Sequence, residues 1–134
     1  MEKLITAAFI VTQSIALANG LDALLKAIPE IDEVRVARDL INALQQVEEL
    51  QPQIILVDSA LLDQEPEVFL GKIVLVSPGT QRVLLVADVQ DLKWDPRYAE
   101  AVLIEGIAPS TLARIVMDLL SKKGEEYEHP DSNE

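Results

Sequence analysis

The stretch PQIILVDS, residues 52–59, decides the fold. Residues 53–57 form a nearly continuous apolar run without alternation, which is typical of a strand covered on both faces in a parallel sheet. Pro52 precedes this run and closes a helical pattern, and Asp58 follows it. Open parallel sheets form their sites beyond the carboxyl ends of the strands, so Asp58 is the first residue to examine for function.

Strands of the same kind are predicted on both sides of this stretch. Residues 4–11, 82–86 and 101–104 are mostly apolar runs, and Val34 and Val36 alternate with charged neighbours in a shorter strand. The run at 4–11 is too short to span a membrane. Five strands follow one another along the chain, and each one is followed by a candidate helix.

Helical periodicity appears between the strands, and Ser14 and Asp39 stand where the first two helices need N-caps. Residues 66–76 suit strand or helix by composition, but Pro66 favours a first helical position. Residues 88–100 predict one turn at best, because Pro96 interrupts them. The apolar residues that we expect to face the sheet are Leu17, Leu21, Leu24, Leu25 and Ile28; Leu40, Ile41, Leu44, Val47 and Leu50; Val68, Phe69, Ile73 and Val76; and Leu112, Ile115, Val116, Leu119 and Leu120.

Strands that alternate with helices predict one α/β domain, a five-stranded parallel sheet with helices on both faces. The chain has 134 residues, which fits a single domain; we assign residues 1–123 to it and residues 124–134 to a mobile acidic tail. His129, the only histidine, lies in this tail, where solvent exposure is a more economical interpretation than catalysis or metal binding.

The composition excludes several classes of function. The chain has no cysteine, which rules out disulfides, thiolate metal sites and a cysteine nucleophile and fits a cytoplasmic protein. Eleven Lys and Arg stand against 23 Asp and Glu, a net charge of −12, so binding to nucleic acid by this chain is not expected. The glycine-rich phosphate-binding patterns GxGxxG and GxxxxGK are absent.

Three segments together resemble the receiver domain of response regulators, in particular the subgroup that precedes helix-turn-helix output domains. GLDALLKAIPEID (residues 20–32) resembles its first helix and loop, PQIILVDS its third strand with the phosphoacceptor, and LIEGIAPSTL (residues 103–112) its last strand and turn. The resemblance covers residues 4–123. It implies a flavodoxin-like fold with a short or irregular fourth helix, and it places the phosphoacceptor at Asp58.

The resemblance also implies a degenerate site, or pseudo-receiver. The acidic pair that holds magnesium in the family aligns with Thr12 and Gln13, and the conserved lysine after the fifth strand aligns with Glu105. The family's Ser or Thr after the fourth strand aligns with Ala87, and its switch aromatic aligns with Val102. Asp88 is the one nearby carboxylate that could replace a lost one. We therefore expect no metal, no cofactor and no enzymatic activity.

The function expected from these replacements is protein–protein interaction in two-component signalling, without magnesium-dependent phosphorylation. The predicted partner face consists of Leu92, Trp94, Tyr98 and Val102, around the fourth helix, fifth strand and last helix, and it would hold another protein or a second copy. Packing of Trp94 over the sheet edge is the structural alternative. Two other functions stay open: a genuine phosphoacceptor at Asp58 served by a histidine kinase, and a domain that binds a small ligand at the strand ends.

Overall fold

The computed structural model describes residues 5–62, 66–88 and 99–128, with side chains described as far as residue 121. The five strands form one parallel sheet in the order β2-β1-β3-β4-β5. They are β1 (Ala7–Val11), β2 (Glu33–Ala37), β3 (Ile54–Asp58), β4 (Gln81–Val86) and β5 (Ala101–Ile104), and the helices are α1 (Ile15–Lys26), α2 (Leu40–Leu50), α3 (Pro66–Val76) and α4 (Pro109–Glu128).

The core lies on both faces of the sheet, and this is why the central strands are mostly apolar. All residues of β1, β3 and β4 are buried. Alternate side chains of these strands enter two clusters, one under α2 and α3 and the other under α1 and α4. The fold class predicted from the sequence, a flavodoxin-like parallel sheet, is confirmed.

The element order follows the prediction, and residues 66–76 are helical. Ser14 caps α1 by accepting a hydrogen bond from the Leu17 backbone N–H at 3.1 Å, and Asp39 caps α2 through the Asn42 N–H at 2.8 Å. The predicted short or irregular fourth helix falls mostly on residues 89–98, which lie outside the described residues.

Two residues expected to face the sheet point away from it. Ile41 of α2 is 82% exposed and Val68 of α3 is 46% exposed. The side of α2 that meets the sheet is centred on Ala43 and Val47, and Ile41 lies on the outer side of the helix. Leu70, which the predicted stripe on α3 left out, occupies the inward position instead of Val68.

The predicted boundary between domain and tail falls inside α4, whose backbone runs to Glu128. The mobility of the tail stays a prediction, and His129 lies outside the described residues. No helix in the described part of the chain has the length and apolarity needed to cross a membrane.

A partly buried ion pair that the sequence analysis did not identify joins β4 to the residue before β5. The Arg82 side chain is almost fully buried and donates to both carboxylate oxygens of Glu100, from Nε at 3.1 Å and from Nη2 at 2.9 Å. Arg82 Nη1 also donates to the Leu70 carbonyl at 3.2 Å. An arginine inside an apolar strand was the available signal, because a buried guanidinium requires a carboxylate partner.

Candidate functional site at the carboxyl end of the sheet

Asp58 is the last residue of β3 and is only 6% exposed. Its carboxylate caps the short 3₁₀ turn Ser59–Leu61, because Oδ1 accepts a hydrogen bond from the Ala60 backbone N–H at 3.0 Å. One oxygen of this carboxylate therefore has a structural partner in the turn that follows the strand.

The other carboxylate oxygen is held by Thr12, which follows the neighbouring strand β1. Thr12 Oγ1 donates to Asp58 Oδ2 at 2.7 Å, and the same hydroxyl oxygen accepts from the Ser14 backbone N–H at 3.1 Å. The Thr12 backbone N–H continues the ladder to the Ala37 carbonyl at 3.1 Å. Thr12 thus ties the ends of β1 and β3 together through a fully buried hydroxyl.

Glu105 brings a second carboxyl group to the same edge. It follows β5, and its backbone N–H donates to the Val86 carbonyl at 2.8 Å. Burial raises the pKa of Glu105, and the Asp58 carboxylate raises it further by charge repulsion and by a hydrogen bond between the two carboxyl groups. The structure therefore brings together an acidic pair, in the place where the resemblance implies a lysine and a phosphoacceptor.

The other predicted site residues follow β1 or β4, or lie within β5. Gln13 is exposed, and its backbone carbonyl accepts from Arg38 Nη2 at 3.2 Å. Ala87 and Asp88 are exposed after β4, and Val102 is half-buried in β5 against the core under α2 and α3. The rest of the predicted partner face, Leu92, Trp94 and Tyr98, lies outside the described residues.

The residues at this edge do not fit the magnesium ion that the resemblance implies. Mg²⁺ prefers a near-octahedral set of oxygen ligands that includes carboxylates. The Thr12 hydroxyl hydrogen is directed at Asp58, and the Gln13 carbonyl is engaged by Arg38. Among residues 5–62, 66–88 and 99–128, no group of three or more His, Cys, Asp or Glu residues is placed to hold a metal ion.

An apolar cleft between α1 and α4 reaches Glu105 from one side. It holds about 190 Å³ and is lined by Leu17, Leu21, Leu24 and Ile107 among others. Ligand pockets for small molecules usually hold roughly 300 Å³ or more. The cleft is therefore small for the ligand-binding alternative, and its walls offer mainly methyl and methylene groups.

The contact between Thr12 and Asp58 is the part of the site that the sequence analysis missed. The signal for it was a hydroxyl residue directly after β1 and a carboxylate at the end of β3, in two strands that pair with each other. Strand order alone brings the two residues to one edge, but only the side-chain conformations bring the hydroxyl within 2.7 Å of the carboxylate.

The sequence matches no protein-family model and none of the curated proteins. Solved structures do resemble the chain. A CheY-like response regulator receiver domain protein from Methanospirillum hungatei JF-1 is 19% identical, with a TM-score of 0.80 over 92% of this chain and 99% of that one. The signal receiver domain of an HD domain-containing protein from Pseudomonas fluorescens Pf-5 is 21% identical, with a TM-score of 0.79 over 96% of both chains.

A third structure, the signal receiver domain of a modulated diguanylate cyclase from Desulfovibrio desulfuricans G20, is 20% identical. Its TM-score is 0.76, over 92% of this chain and 99% of that one. These proteins share almost their whole length with the chain but few of its residues, so the likeness concerns the path of the backbone. The sheet order and the helices on both faces are those of a response regulator receiver fold, and this is the fold of the chain.

Proposed function

We propose that this chain is a non-enzymatic, receiver-like signalling domain that acts by binding another protein and does not depend on magnesium-dependent phosphorylation of Asp58. One observation carries the proposal. Both carboxylate oxygens of Asp58 accept hydrogen bonds within the fold, and the group facing this carboxylate is another acid, Glu105. The position of the phosphoacceptor is thus used to join two strands and a turn.

The charge at Glu105 opposes a phosphoryl group on Asp58. A carboxylate about 4 Å from a phosphoryl oxygen costs about 1 kcal/mol in water and about 4 kcal/mol at an effective dielectric constant of 20. This corresponds to roughly one to three powers of ten in occupancy. The lysine implied by the resemblance would stabilise the same charge, so the replacement reverses the sign of the interaction.

The residues that would report a phosphoryl group are also replaced. Ala87 has no hydroxyl to bind a phosphoryl oxygen, and Val102 is a short, branched side chain packed against the core. A partner would instead bind the predicted partner face, which contains Val102. In support, β5 is the edge strand of the described sheet and each of its four residues is only half-buried. An open cleft of about 450 Å³ runs along β5 and the turn after it.

The proposal is tested by incubating the full chain with Mg²⁺ and a small phosphodonor such as acetyl phosphate, followed by intact mass measurement. We expect no added phosphoryl group. A triple variant with Thr12→Asp, Gln13→Asp and Glu105→Lys is the matched control, because it restores the acidic pair and the cation, and we expect it to gain a magnesium-dependent adduct.

The competing function, a genuine phosphoacceptor, is favoured by the place of Asp58 at the carboxyl end of β3. A single phosphoryl adduct on the unmodified chain that is lost in Asp58→Asn would establish that function and overturn our proposal.

A further inference from the structure

Helix α3 is apolar on its outer side as well as on its inner side. Phe69, Leu70 and Ile73 pack into the core, whereas Val68, Val74 and Leu75 are 46%, 40% and 82% exposed. Only Glu67 and Lys72 among its 11 residues are charged, and their charges cancel. A surface helix normally presents polar residues to water, so the outer side of α3 has the composition of a contact surface.

A comparison with α2 shows how the outer side of α3 differs from a single exposed apolar residue. Ile41 of α2 is 82% exposed, like Leu75. One and two turns further along its side of the helix stand Gln45 and Glu48, which are polar and exposed. Leu75, in contrast, continues a row that begins at Val68 and passes Gly71 and Lys72. We call Val68, Gly71, Lys72 and Leu75 the outer α3 row.

Gly71 lies near the middle of the outer α3 row, and a Cβ atom built on it would meet no atom of the described residues within 4 Å. The described residues therefore leave open space above this glycine. A position without a side chain lets another backbone approach closely, as at the crossing point of two packed helices. The row thus has apolar residues at both ends and a place for close approach between them.

We propose that the outer α3 row binds a second copy of this chain, with the two α3 helices antiparallel about a two-fold axis. An axis between residues 71 and 72 places Val68 opposite Leu75 of the second copy, so the apolar ends meet each other. The same axis places Lys72 opposite Gly71 of the second copy, one helical turn from Glu67 of that copy. The surface is therefore complementary to itself in both apolar residues and charge.

The net charge of the chain restricts the surfaces on which two copies can meet. Two chains of charge −12 repel each other wherever acidic surfaces meet. The outer side of α3 carries no net charge, so it is a surface on which two copies can meet with little added repulsion. A basic partner would meet Lys72 on this row and would bind better to an acidic part of the surface.

The size of the row sets the expected affinity. Eleven residues of helix extend over about 16 Å, and one side of such a helix buries well under the roughly 800 Å² per partner of a standard interface. We therefore expect a reversible dimer with a Kd on the order of 10–100 μM. This inference does not rest on the phosphorylation state of Asp58.

Sedimentation equilibrium of the full chain from about 5 to about 500 μM tests the proposal. The expected mass rises with concentration from the 14.8 kDa monomer towards twice that mass. Leu75→Lys should raise the Kd by at least about tenfold, because it places a charge opposite Val68 of the second copy. Ile41→Lys is the matched control, with equal exposure and an equal change of charge, and should leave the Kd within about twofold.

Circular dichroism and a urea midpoint measured on both lysine variants establish that each stays folded. A chain that remains at the monomer mass at the highest concentration overturns the proposal and leaves the row to another occupant. Equal weakening by Leu75→Lys and Ile41→Lys also overturns it. A dimer that persists in Leu75→Lys and is lost in Trp94→Ala would place the contact on the predicted partner face instead.

Discussion

A hydroxyl group can satisfy a buried carboxylate without bringing a cation to it, and Thr12 does this for Asp58. The hydroxyl group does not neutralise the negative charge of the Asp58 carboxylate. Glu105 adds a second carboxyl group at the same edge, and no lysine or arginine among the described side chains forms an ion pair with either acid. Hydrogen bonds to Asp58 therefore stabilise this end of the sheet, and charge repulsion between Asp58 and Glu105 destabilises it.

Replacing Glu105 with lysine should stabilise the domain, by a few tenths to about 1 kcal/mol in the free energy of unfolding at neutral pH. Glu105→Gln should stabilise it less, since it removes the repulsion from Asp58 without adding an attraction. The pKa of Glu105 is raised, so the folded state disfavours the charged form; the penalty is complete above that raised pKa and shrinks as the pH falls below it. The gain from Gln should disappear as the pH falls through the raised pKa towards the ordinary value of 4.5.

Urea midpoints at neutral and acidic pH measure this effect. Glu30→Gln removes an exposed acid far along the chain from the site and should show no comparable gain. If Glu105→Lys leaves the midpoint unchanged at neutral pH, the Glu105 carboxyl group does not face Asp58.

At the level of single residues, the sequence indicates which side chains reach the edge but not how they are directed. Asp58, Thr12 and Glu105 could each be placed at a strand end, because strand ends follow from apolar runs. The hydrogen bond from Thr12 depends on a side-chain rotation, and the burial of Arg82 depends on Glu100, 18 residues away. Neither kind of contact leaves a periodic pattern in the sequence.

Among the elements, boundaries set by caps and prolines were predictable and helix orientation was less so. Ser14 and Asp39 mark helix starts because their side chains bond local N–H groups. The rotation of α2 and α3 depends on which residues the sheet accepts, and this displaced Ile41 and Val68 from the expected inner side. The outer α3 row became visible only once that rotation was known.

The ion pair between Arg82 and Glu100 joins two elements, and Glu100→Gln should cost about 1–2 kcal/mol of unfolding free energy. It leaves a buried guanidinium without its counter-charge, and the value is kept low because Glu100 is partly exposed. Burial by itself would raise the pKa of Glu100, but the hydrogen bonds and charge of Arg82 outweigh it and lower the pKa. The contribution is present above the ordinary value of 4.5 and is lost as the pH falls through the lowered pKa.

Chemical denaturation at two pH values checks this expectation. Glu33→Gln is a matched control, since Glu33 pairs with Arg35 on the exposed strand β2, where an ion pair contributes little. Equal costs for the two substitutions would show that the burial of Arg82 contributes nothing.

For the whole molecule, the alternation of strands and helices was sufficient to predict a five-stranded parallel sheet with helices on both faces, because right-handed crossovers leave few ways to build one. The flavodoxin-like form of that sheet was predicted from the resemblance. The excess of acidic residues predicts electrostatic repulsion within the folded domain. Charges that are far apart in sequence share one small surface after folding, so a chain of net charge −12 repels itself more when it is compact.

Sodium chloride should therefore stabilise the domain at neutral pH, by on the order of 1 kcal/mol between low salt and about 0.5 M. Urea midpoints at a protein concentration far below the expected Kd measure this effect on the monomer. The same series near the isoelectric point of about 4.4 is the control and should show little salt dependence. A midpoint that falls with salt at neutral pH would mean that attractive ion pairs outweigh the net repulsion.

The ion pair between Arg82 and Glu100 lies at the amino ends of β4 and β5, and it has a consequence at the carboxyl ends of the strands. Strand β5 has four residues, so few ladder bonds oppose its sliding along β4. A slide of two residues keeps the side chains on their faces but moves Glu100 by about 6.6 Å, which strips the buried Arg82 of its counter-charge. The ion pair therefore fixes the register of β5 along β4, and with it the position of the residues that follow β5. A substitution at Glu100 could carry Glu105 out of reach of Asp58 while every residue around Asp58 is unchanged.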